Sequence, residues 1–227
     1  MKKTFFTEAA YLLGIGVLAL GTAFMERANF GVSMVVAPAY LLHLKISEYL
    51  PFFSFGVAEY ALQAVIIIVL ALILHKMKLS YLFSFVTALF YGFLLDQFMA
   101  VIALVSYDTM IFRVICYIAG MLLCATGVSF LFHTYISPEA YELFVKEMSA
   151  KLHVDINRFK TIYDCTSCVI SILLSFLFFG FGHFEGVKWG TVICAILNGW
   201  FIGRITILCE KIFEFRDGLS FRKYFEN

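Results

Sequence analysis

The sequence predicts an all-α polytopic membrane protein: six transmembrane helices forming two inverted three-helix repeats, with a short re-entrant or interfacial helix after the first and fourth spans. Three observations carry this. The 227-residue chain is 62% hydrophobic and only 15% charged, with a mean hydropathy of +0.91, whereas soluble domains average about 25% charged residues. It holds six apolar runs of the roughly 20 residues needed to cross a bilayer. Similar residues also recur at a nearly constant offset through three consecutive runs.

The spans are read in order. The first covers about 5–25, and an apolar segment containing Pro38, about 31–44, is too short to cross. The second covers about 52–74 and the third about 79–95, with an extension through Val105 left open. The fourth covers about 111–132, the fifth about 159–181 and the sixth about 187–208. Lys2 and Lys3 ahead of the first run imitate a secretory signal, but Met25-Glu26-Arg27 follows instead of a small-residue cleavage site, so the helix is read as retained.

With the N-terminus inside, thirteen of the 17 Lys and Arg fall on inner segments, leaving Arg27, Lys45, Arg113 and Lys188 outside. This satisfies the positive-inside rule and puts both termini in the cytoplasm. A net charge of +1 offers no basic face for nucleic acid.

The repeat rests on offsets. Ala19–Phe24 aligns with Ala125–Phe130 at 106, Glu59 with Asp164 at 105, and Ala88–Phe93 with Ala195–Trp200 at 107. The expected units are therefore 1–104, 105–208 and a cytoplasmic tail, 209–227. Three spans per half is an odd number, so the halves enter the membrane from opposite sides, as in many secondary transporters with sites at the repeat interface.

Glu59 and Asp164 are the leading site candidates. A carboxyl group within a span costs on the order of 2.5–3.5 kcal/mol on insertion scales, so it faces a partner or a wet cavity. The offset of 106 gives each a basic neighbour: Arg27 for Glu59, and its counterpart His133, or Lys160, for Asp164. Lys160 and Asp164 are four apart and share a helix face. These groups read either as structural ion pairs or as outer and inner gates, or a proton-coupling pair, around a central site. Gln63, one turn beyond Glu59, and Asn198 on the sixth span are candidates for the same site or for interhelical hydrogen bonds. Asp96 and Arg204 read as interfacial anchors. Gly14, Gly16, Gly21, Gly120 and Gly127 invite close packing of the first and fourth spans.

After the fourth span, Ser137-Pro138 suggests an N-cap followed by Pro at the first helical position. Tyr141, Phe144, Val145, Met148 and Leu152 then share one face, with Glu142, Lys146, Glu147 and Lys151 away from it. That pattern predicts an amphipathic helix on the inner membrane surface, equally suited to docking a cytoplasmic partner over Ser137–Leu152. Cys165 and Cys168 form C-x-x-C inside a span, with no further ligand nearby, so they are read as packing residues rather than a zinc or redox site. No nucleotide loop, metalloprotease motif or nucleophile elbow is present. No enzyme activity, cofactor or metal is expected.

A family resemblance spans nearly the whole chain. It is carried by the Gly-rich first helix running into Ala28-Asn29-Phe30-Gly31-Val32-Ser33, by Phe159–Ser171 around Asp164, and by the stretch Gly190–Gly199. In these the chain resembles the YczE/YyaS/YitT family of bacterial integral membrane proteins, although Met34 stands where those proteins often carry Pro. The resemblance implies a multi-pass bacterial inner-membrane protein and names no substrate. The expectation is a small-molecule or ion transporter in the lipid bilayer, with its site between the repeats. The alternatives are a regulatory or docking subunit, and the substrate-binding subunit of an ATP-driven transporter. A homo-oligomer is compatible with all three.

Overall fold

Among the described residues six long apolar helices form the body of the protein, and each is long and apolar enough to cross a membrane. The computed structural model describes residues 2–105, 109–182, 184–219 and Arg222. The end of the expected tail, residues 220–221 and 223–227 with Lys223 among them, lies outside the described residues. The long helices are α1 (Thr7–Ala28), α3 (Phe55–Leu74), α4 (Leu79–Ala103), α5 (Met110–Phe132), α7 (Ile156–Phe179) and α8 (Trp189–Ile212). Two shorter ones, α2 (Ala37–Ser47) and α6 (Ala140–Leu152), follow α1 and α5. Large apolar side chains such as Leu72, Phe93, Ile111, Leu173 and Leu177 are exposed around the outside, a surface suited to lipid rather than water.

The centre is the crossing of α1 and α5. Gly14 lies against Gly127 and Gly21 against Gly120, so that a Cβ on Gly21 would stand 2.8 Å from the Gly120 carbonyl oxygen. Backbone contact of this kind holds helices together where lipid supplies no hydrophobic drive. Around this pair, α4 packs on α1 and α8 on α5, while α3 lies on α4 and α7 on α8. The short helices cross over: α2 touches both α3 and α7, and α6 touches both α7 and α3.

Strand β1 (Lys3–Phe6) pairs in parallel with β2 (Phe213–Arg216). The two ends of the bundle's chain therefore meet at one end of the molecule, and α8 continues past its expected end to Ile212. The third long helix runs to Ala103, within the extension through Val105 that the sequence left open. Asp96 is thus no span end: its carboxylate accepts hydrogen bonds from Ser54 Oγ (2.5 Å) and from the Gly56 amide (2.8 Å). It satisfies donors at the N-terminus of α3 that the helix itself leaves free. Arg204, expected at a span end, sits inside α8 with its guanidinium 5.4 Å from the centre of the Trp200 ring.

The largest departure from the sequence reading is α6. It starts at Ala140, because the carbonyls of Ser137 and Pro138 are drawn into the bundle as acceptors for Thr87 Oγ1 (2.9 Å) and Ser84 Oγ (2.6 Å) of α4. A chain pulled inward in this way brings the first turn of α6 with it. Tyr141, Glu142 and Val145 are all buried, and Phe144 and Met148 pack against Ile67, Leu70 and Tyr81. Glu142 therefore does not point away from the packed face. The counterpart segment after α1 behaves similarly: the Val32 carbonyl accepts from Thr191 Oγ1 (2.8 Å) and the Met34 carbonyl from Ser167 Oγ (2.8 Å).

Candidate functional site

Bringing the start of α6 inside gathers four carboxylates and one lysine into one buried group. Glu59 comes from α3, Glu139 and Glu142 from the α6 entry, Lys160 and Asp164 from α7, and none of the five is more than 7% exposed. Lys160 Nζ lies 3.0 Å from Asp164 Oδ1 and 3.5 Å from Glu142 Oε1. The Lys160–Asp164 pair is the i, i+4 neighbour relation expected from the sequence. Behind it, Tyr141 donates its hydroxyl to Glu59 Oε2 (3.0 Å). The Gln63 amide reaches both Glu59 Oε2 (3.4 Å) and Glu139 Oε2 (3.3 Å), while its carbonyl accepts from the Ala140 amide (3.0 Å). Gln63 and Tyr141 thus join the two outlying carboxylates to the Glu142–Lys160–Asp164 triad.

The electrostatics of this group are unbalanced. Isolated charges removed from water cost several kcal/mol each even after relaxation, and one ammonium cannot compensate four carboxylates. Burial, followed by the neighbouring Glu142 and Glu59, pushes the Glu139 carboxyl well above the usual carboxylate range. Burial and Glu59 raise the Tyr141 phenol as well, which keeps it a donor. Three oxygens, Glu59 Oε1, Glu139 Oε1 and Glu142 Oε2, have no hydrogen-bond partner among the described residues.

Two spaces reach it. A cleft of about 1140 Å³ between α5, α6, α7 and α8 is lined by Glu142, Lys160 and Asp164, by apolar Leu131, Ile196, Ile202 and Trp200, and by Lys78, Lys146 and Arg204. It lies towards the end of the molecule where the strands pair, since the last turns of α5 and the first of α7 line it. A smaller apolar space of about 250 Å³ lies between α3 and α7, bounded by Val35, Leu62, Ile66, Tyr141, Phe144, Tyr163 and Ile170.

The residues expected at the site divide accordingly. Glu59, Gln63, Lys160 and Asp164 are in the cluster. Arg27 is not beside Glu59; it donates to the Val105 carbonyl (3.0 Å), because the Glu59 face of α3 turns towards α6. His133 is not beside Asp164 either. Its Nδ1 lies 2.7 Å from the Ser129 carbonyl, its Nε2 3.4 Å from Glu210, and its ring stacks on Phe215 at 4.2 Å, so α5 directs it to the strand pair. Asn198 is buried, and its Oδ1 has no partner among the described residues. Sequence reasoning missed Glu139, Glu142 and Tyr141. The available signal was Ser137-Pro138-Glu139, a break that turns the chain inward as readily as it caps a surface helix. Cys165 is exposed and Cys168 buried, both as free thiols, and no three His, Cys, Asp or Glu side chains are placed to share one metal ion among the described residues.

A family model described as a family of unknown function, DUF6198, matches residues 5–207. No curated protein and no solved structure matches the chain.

Proposed function

Since the chain belongs to DUF6198, a family of unknown function, we propose its function from its own residues: transport of a small molecule or ion across a membrane, using the Glu59–Glu139–Glu142–Asp164 cluster as the binding or coupling site. One observation carries this reading. Glu142 and Asp164 flank a single lysine at the floor of a large cleft, and two further buried carboxylates, Glu59 and Glu139, are joined to each other through Gln63 behind them. Ionisable groups inside a membrane protein mark substrate and proton paths by default.

The inverted repeat belongs to the same proposal, and paired interactions support it. Thr87 donates to the Ser137 carbonyl as Thr191 does to that of Val32. Gln63 holds the backbone of Ala140 as Ser167 holds that of Met34. Tyr11 reaches Thr87, and Tyr117 reaches Gly190. Gly14 on Gly127 mirrors Gly120 on Gly21. All these residues correspond at offsets of 103–106 in the sequence. Each half thus pins the entering segment of the other, and Glu59 and Asp164 are counterparts on either side of that exchange.

A transporter of this build exposes its site to one side at a time. In keeping with that, the cleft reaches Glu142 and Asp164 from the strand-paired end, while near the opposite end Asp96 latches the start of α3 onto α4. Gly92 is in backbone contact with Gly56, but its counterpart Gly199 faces open space. Kinship with YczE/YyaS/YitT proteins and a bacterial inner membrane with both termini cytoplasmic complete the reading, supported by the charge bias of the loops. Docking of a partner on α6 is less favoured, because Phe144 and Met148, the apolar residues such a face would offer, pack inward.

The test is a thermal-shift screen of the purified protein against metabolites and ions, with Asp164→Asn alongside. A ligand of the folded state at a hundredfold excess over its dissociation constant adds about 2.7 kcal/mol of apparent stability. The expected result is a compound that stabilises the parent and not the variant. A panel in which the two respond alike throughout would remove the cluster from any binding role.

A further inference from the structure

We infer that the cleft floor binds a cationic group, the ammonium of a small organic amine in particular, and that Lys160 occupies its place in this structure. The inference rests on the transport reading above and names the substrate class for that site. It begins with an unused acceptor. Glu142 is 5% exposed and lines the cleft; its Oε1 faces Lys160, while its Oε2 has no partner among the described residues. A buried carboxylate oxygen left without a donor costs free energy that an incoming N–H group recovers.

Charge gives the sign. Among the described residues Lys160 is the only ammonium in the cluster, and it is already bracketed by Asp164 at 3.0 Å and Glu142 at 3.5 Å. The cleft lining also carries Lys78, paired with Glu147 at 3.0 Å, and Lys146, Arg204 and Arg222, none of which contacts Glu142 or Asp164 within ion-pair distance. An anion would have to displace two carboxylates from Lys160 and then stand near Glu59 and Glu139 as well. A cation meets the opposite situation. It takes the geometry Lys160 already models, and each arrival displaces either that ammonium or one proton held by the carboxylates, so the charge of the cluster is unchanged. Size separates the two sources of a cationic group. A cleft of about 1140 Å³ with Leu131, Ile196, Ile202 and Trp200 on its walls is at the upper end of small-molecule sites, which run to about 1,000 Å³. An inorganic ion leaves that space unused, whereas an amine with an apolar body fills it.

Isothermal titration calorimetry on the purified full chain tests this with three probes: phenethylammonium, sodium, and phenylacetate as the anion of matched size. Phenethylammonium is expected to bind, with affinity falling at least about tenfold in Glu142→Gln and rising in Lys160→Met, where the internal competitor is gone. Because Lys160→Met is the variant at greater risk of misfolding, Glu142→Gln, which keeps the shape of the side chain, decides the matter alone if needed. Sodium binding with no phenethylammonium binding keeps the cationic class and overturns the organic source. Phenylacetate binding that is lost in Lys160→Met, or no binding of either cation to folded protein, overturns the class. Uptake of phenethylammonium into liposomes separates the two proposals: binding without uptake leaves the cation site standing and removes transport.

Discussion

Lys160→Met destabilises the folded protein by about 3–5 kcal/mol, the range for removing one partner of a buried ion pair. The cause is what remains: Asp164 and Glu142 lose the ammonium at 3.0 and 3.5 Å, with Glu59 and Glu139 behind them. Denaturant unfolding in detergent measures the loss. Adding Asp164→Asn to Lys160→Met recovers part of it, because the second change removes one of the stranded charges. The loss also depends on pH in a definite direction. Glu139 faces Glu59 and Gln63 of α3, Tyr141 and Glu142 of α6, and Lys160 of α7, and burial with Glu142 and Glu59 beside it holds its carboxyl well above the usual carboxylate range. A group with a raised folded-state value binds more protons folded than unfolded. Its contribution is therefore complete below the ordinary carboxylate value and is lost as pH rises through the folded one. Gln63 draws the Glu139 value down most, and Lys160 draws it down further. Without Lys160, stability falls more steeply from about pH 5 upward, and acidification restores the variant more than the parent.

Gly120→Ala separates the central helix pair and weakens the fold by about 1–3 kcal/mol, as overpacking does. A Cβ on Gly120 would lie 2.7 Å from the Gly21 carbonyl oxygen and 3.0 Å from the Met25 amide nitrogen, and backbone atoms cannot rotate out of the way. Gly16→Ala on the same helix pair is the control. Its Cβ meets nothing within 4 Å, so the usual preference of helices for Ala over Gly makes it neutral or stabilising by up to about 1 kcal/mol. Unfolding curves and size-exclusion profiles of the two variants give the comparison. Equal behaviour would place the α1–α5 contact outside the stability of the protein.

The six spans were legible because membrane helices announce themselves by length and hydropathy, and Lys160–Asp164 because i, i+4 neighbours meet on any helix. The partners of Glu59 were not legible. The repeat offset supplied Arg27, but which face of α3 turns inward is decided by contacts with α6, far away in sequence. Glu142 looked like the polar face of a surface helix. The hydrogen bonds from Thr87 and Ser84 to the Ser137 and Pro138 carbonyls, with that from the Ala140 amide to Gln63, hold the start of that helix in the bundle, and beyond the break at Ser137-Pro138-Glu139 no local pattern points to those distant partners. Asp96 was misread for a related reason: it looked like an anchor at a span end, whereas the helix carries it inside, where its carboxylate accepts from Ser54 and Gly56 at the distant start of α3.

The most direct test of the account is uptake into liposomes carrying the purified protein, using each compound that raises its thermal stability. The account predicts uptake above protein-free liposomes that is lost in Glu59→Gln and in Asp164→Asn and retained in Gly16→Ala. Uptake by both carboxylate variants equal to that of the parent, or none by the parent for any stabilising compound, would contradict it.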